Sequence, residues 1–295
     1  MIEALRDREA LFLRPGRVDE AILEAAGELE LIAIHGSGYD RVDVEAATRH
    51  GVIVTHNPDA VWPGVVEHTF GVCFTLLRDL PTVFEETAAG KWNEVRDHPR
   101  ELQTATLGVI GLGRIGYQVA RVAAEGFGAT VLGYDPYVDG SAISPIYPRY
   151  DQASVEALGV DVVGLDRLLE ESDIVSLHAP KTEETIGMIG ESELEKLHGD
   201  YLINTARGGI IDEPALLAAV EDDALAGVAL DVLEQEPPDP DDPLLRSDRV
   251  LTTPHIAGIS DGYLERAATQ GAAKIRDHFA GEVPANVLNP SVLEE

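Results

Sequence analysis

The stretch "TLGVIGLGRIGYQVARVAAEGFGATVLGYD" (residues 106–135) decides how this chain folds. An apolar run, 106–111, leads into Gly111-x-Gly113-x-x-Gly116, then a helical stretch, then a second apolar run ending at Asp135. Each part has a physical task in a strand–turn–helix–strand unit that binds a dinucleotide. Gly111 makes the turn, Gly113 admits a pyrophosphate against the backbone, and Gly116 lets helix and strand pack closely. The amino terminus of the helix that follows then faces the phosphate charge. Asp135 lies nineteen residues beyond Gly116, where an acid accepts hydrogen bonds from ribose hydroxyls. It would repel a 2′-phosphate, so NAD is expected over NADP.

Working outward, four more apolar runs follow: "DIVSLH" (173–178), "YLINTA" (201–206), "GVALDV" (227–232) and "VLTTPH" (250–255). Six such strands separated by helices predict a doubly wound parallel α/β sheet, the Rossmann architecture. Upstream, 11–14, 31–36 and 52–57 read as strands of a smaller, flavodoxin-like α/β unit. The expected division is a cofactor domain over 62–259 and a discontinuous substrate domain over 1–61 and 260–295. Helices are expected at 64–80 and 262–281, and "NPDAVWPG" (57–64) reads as a hinge or loop from its prolines and glycine. The chain opens on a helix feeding a strand. A unit of this kind ordinarily begins with a strand, so the smaller domain is expected to lack its first strand and to be truncated at the amino terminus.

Composition narrows the partners. Fifty-three acidic residues against 22 basic ones give a formal charge of −31, which repels nucleic acid and anionic membranes. Only four lysines accompany the arginines, Lys91, Lys181, Lys196 and Lys274. An acid-rich, lysine-poor surface suits concentrated salt, where screening removes self-repulsion, so a halophilic cytoplasm is expected. The single cysteine, Cys73, excludes an intrachain disulfide and a cysteine zinc site, and no metal is expected. No apolar run is expected to reach membrane-spanning length, and the amino terminus lacks the apolar core of a signal peptide.

Three strand ends carry chemistry. "YLINTARGG" puts Arg207 just past one, "GVALDVLEQEP" puts Asp231 and Glu236 past another, and "VLTTPHIAG" ends at His255. Ligands of such sheets bind outside the carboxyl ends of the strands. A guanidinium, a carboxylate and an imidazole suit reduction of a 2-oxo acid. Arg207 can hold the substrate carboxylate, His255 can exchange a proton with the carbonyl oxygen, and a neighbouring carboxylate can steady the imidazolium. Six acids crowd "LDVLEQEPPDPDDP" (230–243), and spacing along the chain leaves open which of them stands beside His255.

The stretches "GYDRVDVEAATRHGVIV", "GLGRIG", "YDPY", "HAPKTEET", "NTARGGIIDE", "ALDVLEQEPP" and "TPHIAG" resemble those of the D-isomer-specific 2-hydroxyacid dehydrogenases. That family includes phosphoglycerate dehydrogenases, glyoxylate/hydroxypyruvate reductases and D-lactate dehydrogenases. The resemblance implies an NAD-dependent oxidoreductase acting on a small D-2-hydroxy acid or its 2-oxo partner, with Arg207, Glu236 and His255 catalytic, Glu236 the partner of His255, and Glu234, Asp239, Asp241 and Asp242 left as solvated charge. It assigns cofactor contacts to Arg114, Ile115, Asp135, Pro180, Thr185, Thr205, Ala206, Asp231 and Gly258. Substrate contacts fall on Arg14, Ser37 and Gly38, and a homodimer through the cofactor domain is implied. Ile34 and Pro15 stand where many phosphoglycerate dehydrogenases carry an arginine and a serine. His35, His56 and His98 read as structural or solvated. Two other readings share the fold: an NAD(H)-sensing binding protein resembling the C-terminal-binding corepressors, and a formate dehydrogenase, which Glu236 disfavours because that enzyme's relatives pair the histidine with glutamine.

Overall fold

A computed structural model describes residues 2–14, 16–92, 100–138, 150–197 and 200–294. Its contacts group into two compact units, Val65–Ala257 and a smaller one built from Met1–Gly64 with Gly258–Glu295.

The smaller unit contains β1 (Ala10–Leu13), β2 (Leu31–Ile34) and β3 (Ile53–Thr55), paired in parallel in that order. All four residues of β2 are buried, as the middle strand of a layered sheet requires. The helix Asp261–Phe279 packs in this unit, with Ser260 capping its first turn through Tyr263 N–H. Gly271 is needed there, because a Cβ at that position would overlap the ring of Phe12. Lys274, 4% exposed, donates from Nζ to the His56 carbonyl at 2.6 Å and to Asn57 Oδ1. Burial pushes this amine down to about 8.

The larger unit is a seven-stranded parallel sheet. Its strands are β4 (Thr106–Ile110), β5 (Thr130–Tyr134), β6 (Val160–Val162), β7 (Ile174–Leu177), β8 (Tyr201–Asn204), β9 (Gly227–Leu230) and β10 (Val250–Thr252). The order β10-β9-β8-β7-β4-β5-β6 reverses direction between β4 and β7, which makes their carboxyl ends the switch point of a doubly wound sheet. Every residue of β7 and β9 is buried, and Leu168, Leu169, Leu177, Leu202 and Ile210 are among the side chains filling the core beside the sheet. Each such leucine contributes about 1.5–3 kcal/mol by leaving water.

β6 leaves no signal in the sequence, because three residues with Asp161 exposed are too short to show a strand period. The other strands end one to three residues before their apolar runs do. Those extra residues leave the ladder at the carboxyl edge and form the loops described below.

The hinge or loop expected at 57–64 is helical from Pro58 onward. One helix, Pro58–Leu77, runs straight through Pro63. Pro58 stands at its start, where the ring's fixed φ suits a first turn, and the apolar run beyond supplies the burial that retains Pro63. At 20 residues, with a mean hydropathy of 1.3 over its most apolar 18-residue window, this helix also reaches membrane-spanning length, contrary to the sequence expectation. Half of its most apolar window is buried inside the protein, as in a core helix.

Candidate active site

At the switch point, β4 ends and the chain turns at Gly111, whose φ of +90° is open to glycine and strained for other residues. A Cβ there would lie 2.8 Å from Ala179 N. At Gly116 a Cβ would overlap the Gly111 carbonyl oxygen, so helix and turn can approach only without a side chain. Gly113 differs: among the described residues a Cβ would meet nothing within 4 Å. Its lack of a side chain leaves open space at the amino end of the helix Arg114–Arg121, a cradle suited to a pyrophosphate. Asp135 Oδ2 accepts Leu112 N–H and Oδ1 accepts Tyr137 N–H, both at 3.0 Å. Those bonds fix the carboxylate beside the turn and leave acceptor positions on both oxygens. These residues fit a dinucleotide.

Past β8, Asn204 shapes the turn that carries Arg207. Its Oδ1 accepts Ala206 N–H and its Nδ2 donates to the Arg207 carbonyl, both at 3.0 Å. The Arg207 guanidinium donates to the Ala206 carbonyl at 2.7 Å. Gly208 then packs so tightly that a Cβ would overlap Leu233 O, which brings the Arg207 turn against the loop leading to Glu236. On that loop, Glu236 accepts from His255 Nδ1, at 2.8 Å to Oε2 and 3.0 Å to Oε1. A carboxylate only accepts, so Nδ1 carries the proton and Nε2 is the other ring nitrogen. The His255 side chain is 46% exposed and can meet a ligand. Its φ of +53° is left-handed, an uncommon conformation for a residue with a side chain.

Asp231 has a different environment. Its side chain is 1% exposed, and its carboxylate accepts Thr253 Oγ1–H at 2.6 Å, Ile256 N–H at 2.9 Å and Ala257 N–H at 2.8 Å. It clasps the histidine-bearing loop. Thr205, 7% exposed, shares a 3.1 Å hydrogen bond with Thr69 on the long helix, and Ala206 is buried. Thr185 closes the 180–185 turn by donating to the Pro180 carbonyl at 2.6 Å. Glu234 and Asp239 are surface residues, and Asp241 pairs with Arg246. Asp242 caps the short helix Pro243–Arg246, so it is not merely solvated charge.

Arg14, Ser37, Gly38 and Gly258 belong to the smaller unit. Arg14 is exposed just past β1, and His56, fully buried, holds the Ser37 carbonyl from Nδ1 at 2.8 Å. His35 bonds Tyr263 Oη at 2.6 Å; burial first, and Arg14 second, lower its pKa. His98 and Pro15 lie outside the described residues. Ile34 is a buried strand residue. Among residues that sequence reasoning passed over, Asn204 had a signal, the polar turn-former just ahead of "TARGG". His68 and His178 had none, because their roles depend on distant neighbours. His178 follows β7, bonds Ser176 Oγ at 2.9 Å, and has Nδ1 buried without a partner among the described residues; burial pushes it down to about 3.

A doubly wound sheet with this glycine turn, and a histidine–carboxylate pair on the same sheet edge, defines the dinucleotide-dependent oxidoreductase class. Residues 70–257 match the family model for the NAD binding domain of D-isomer specific 2-hydroxyacid dehydrogenases, and the chain belongs to that family. It is 38% identical over its whole length to a glyoxylate reductase of Korarchaeum cryptofilum, covering 86% of that protein. It is 39% identical over 87% of its length to a D-3-phosphoglycerate dehydrogenase of Archaeoglobus fulgidus. There it covers 47% of the relative, so the chain spans about half the length of that phosphoglycerate dehydrogenase. Among solved structures, D-lactate dehydrogenase from Aquifex aeolicus complexed with NAD and lactic acid superposes with a TM-score of 0.82 at 33% identity. That likeness covers 96% of this chain and 86% of the other.

Proposed function

We propose that the chain is an NAD(H)-dependent oxidoreductase that interconverts a small D-2-hydroxy acid and its 2-oxo acid. The observation carrying this is the His255–Glu236 pair, with Nδ1 held and Nε2 left as the exchangeable position. When bound, NADH supplies the hydride. His255 donates the Nε2 proton to the carbonyl oxygen and takes it back in the reverse direction. Glu236 favours the charged ring in the oxidised-substrate state and keeps it oriented. Arg207 holds the substrate carboxylate through its planar guanidinium. The cofactor residues are Gly111, Gly113, Arg114, Ile115, Gly116, Asp135, Pro180, Thr185, Thr205, Ala206, Asp231 and Gly258. Asp135 favours NAD, because a 2′-phosphate would meet a carboxylate.

Arg14, Ser37 and Gly38 make the smaller unit the substrate-binding domain in this reading. Buried, uncharged Ile34 offers no cation to a phosphate ester, which favours glyoxylate or hydroxypyruvate over phosphohydroxypyruvate. A homodimer through the larger unit, working in the cytoplasm, completes the proposal. Its support is the helix Leu80–Ala88, which has no buried residue among the described residues and leaves Phe84 67% exposed. NADH oxidation in concentrated salt with those three 2-oxo acids tests the function. NADH binding without turnover of any of them would refute it.

A further inference from the structure

We propose that His68 and Thr253 are positioning residues for His255, acting through the buried carboxylate of Asp231. The inference rests on His255 being the proton donor of the reaction proposed above. His68 sits on the helix Pro58–Leu77, far in sequence from the loop it reaches. Its Nε2 lies 3.1 Å from Thr253 Oγ1 and 3.8 Å from Asp231 Oδ1. The Thr253 hydroxyl has one proton, given to Asp231 Oδ1 at 2.6 Å. Its lone pair must therefore accept from His68, so Nε2 of His68 carries a hydrogen. The donation runs one way, from His68 through Thr253 to Asp231.

Asp231 passes this order to the histidine loop. Its carboxylate accepts the amides of Ile256 and Ala257, and its own carbonyl accepts the His255 amide at 2.8 Å. His255 is thus tied on both sides to one aspartate. That tie matters because the left-handed conformation of His255 persists only where neighbours over-determine it. With the side chain of Asp231 1% exposed, water offers little replacement for a lost donor. Removing the Thr253 hydroxyl would strip one donor from a buried carboxylate oxygen and leave the His68 N–H without its acceptor. The loop would shift to relieve both, carrying the His255 ring away from Glu236. Placement errors of about 1 Å can reduce turnover on the order of a hundredfold.

Two measurements on the purified full chain test this. In steady-state kinetics, Thr253→Val should lower kcat by roughly 10- to 100-fold, while KM and the NADH dissociation constant stay within about threefold. Thr253→Ser, which keeps the hydroxyl, should recover most of kcat. His68→Leu should lower kcat about tenfold, and His68→Gln, which keeps a donor, should be milder. Independently of turnover, imidazole 1H–15N spectra should show the Nδ1–H signal of His255 in the parent and in Thr253→Ser. In Thr253→Val and His68→Leu it should be broadened or shifted. Unchanged His255 signals in both apolar variants would overturn the inference, as would a fall in NADH affinity equal to the fall in kcat. Should Thr253→Val not fold, His68→Leu against His68→Gln decides alone. A parent without turnover whose His255 signal still responds would refute the proposed reaction and leave the positioning roles standing.

Discussion

At the scale of single residues, the proposed chemistry concentrates in one imidazole, His255, with the Glu236 carboxylate behind it. His255→Gln keeps polarity but loses the exchangeable proton, so kcat should fall by roughly 10²–10⁴-fold. NADH binding, followed by fluorescence titration, should stay within about threefold, because the glycine turn is untouched. An equal loss of both would reassign the proton donor. His178 carries a pH dependence of another kind. Burial pushes it to about 3 from its ordinary 6.5, so the folded protein holds the neutral ring while the unfolded chain takes up a proton. That contribution to stability is complete above pH 6.5 and drains away as pH falls toward 3. In melting curves between about pH 7 and pH 4, His178→Gln should lose less stability on acidification than the parent. Parallel curves would mean that the ring is more hydrated than its surroundings imply. Of these two histidines, only His255 was legible in the sequence, since its strand end and its "TPHIAG" setting are local. The burial of His178 comes from elements that the chain brings together later.

At the scale of elements, the strand–turn–helix unit separates fold from binding within one motif. A side chain on Gly116 would collide with the Gly111 carbonyl, whereas one on Gly113 meets open space. Gly113→Ala should therefore melt within about 2 °C of the parent and still weaken NADH binding at least about tenfold, by filling the cradle. Gly116→Ala should lose both stability, by roughly 1–3 kcal/mol, and binding. Calorimetry and NADH titration on the pair check this, and equal behaviour of the two would mean that Gly113 is not where the cofactor approaches. The larger unit's strands were legible because buried parallel strands read as continuous apolar runs. The Pro58–Leu77 helix was misread because local breaker rules see Pro63 and Gly64 but not the packing that holds them helical. Three-residue β6 left too short a pattern to detect.

For the whole molecule, charge outweighs every local feature. At −31, the folded chain repels itself, and exposed carboxylates cover its surface. The screening length falls from about 10 Å at 0.1 M salt to about 3 Å at 1 M, so molar KCl should raise the melting temperature by several degrees. A melting temperature that is flat or falling between about 0.1 and 2 M KCl would remove the case for adaptation to salt. Lysine scarcity adds meaning to Lys274, one of four lysines, which is buried in the smaller unit rather than spread over the surface.

The α/β class, the glycine turn, the family and the residue types at the strand ends are legible in the residues alone, because these follow from periodicity and from motifs a few residues long. Which of the six neighbouring acids bonds His255, and which groups the Asp231 carboxylate bonds, only the tertiary structure decides. The Gly208 approach to Leu233 sets the loop so that Glu236 meets the imidazole. A helix remote in sequence brings His68 to the threonine behind Asp231. Hydrogen bonds act over about 3 Å, and distance along the chain says little about which groups come that close once the sheet has assembled.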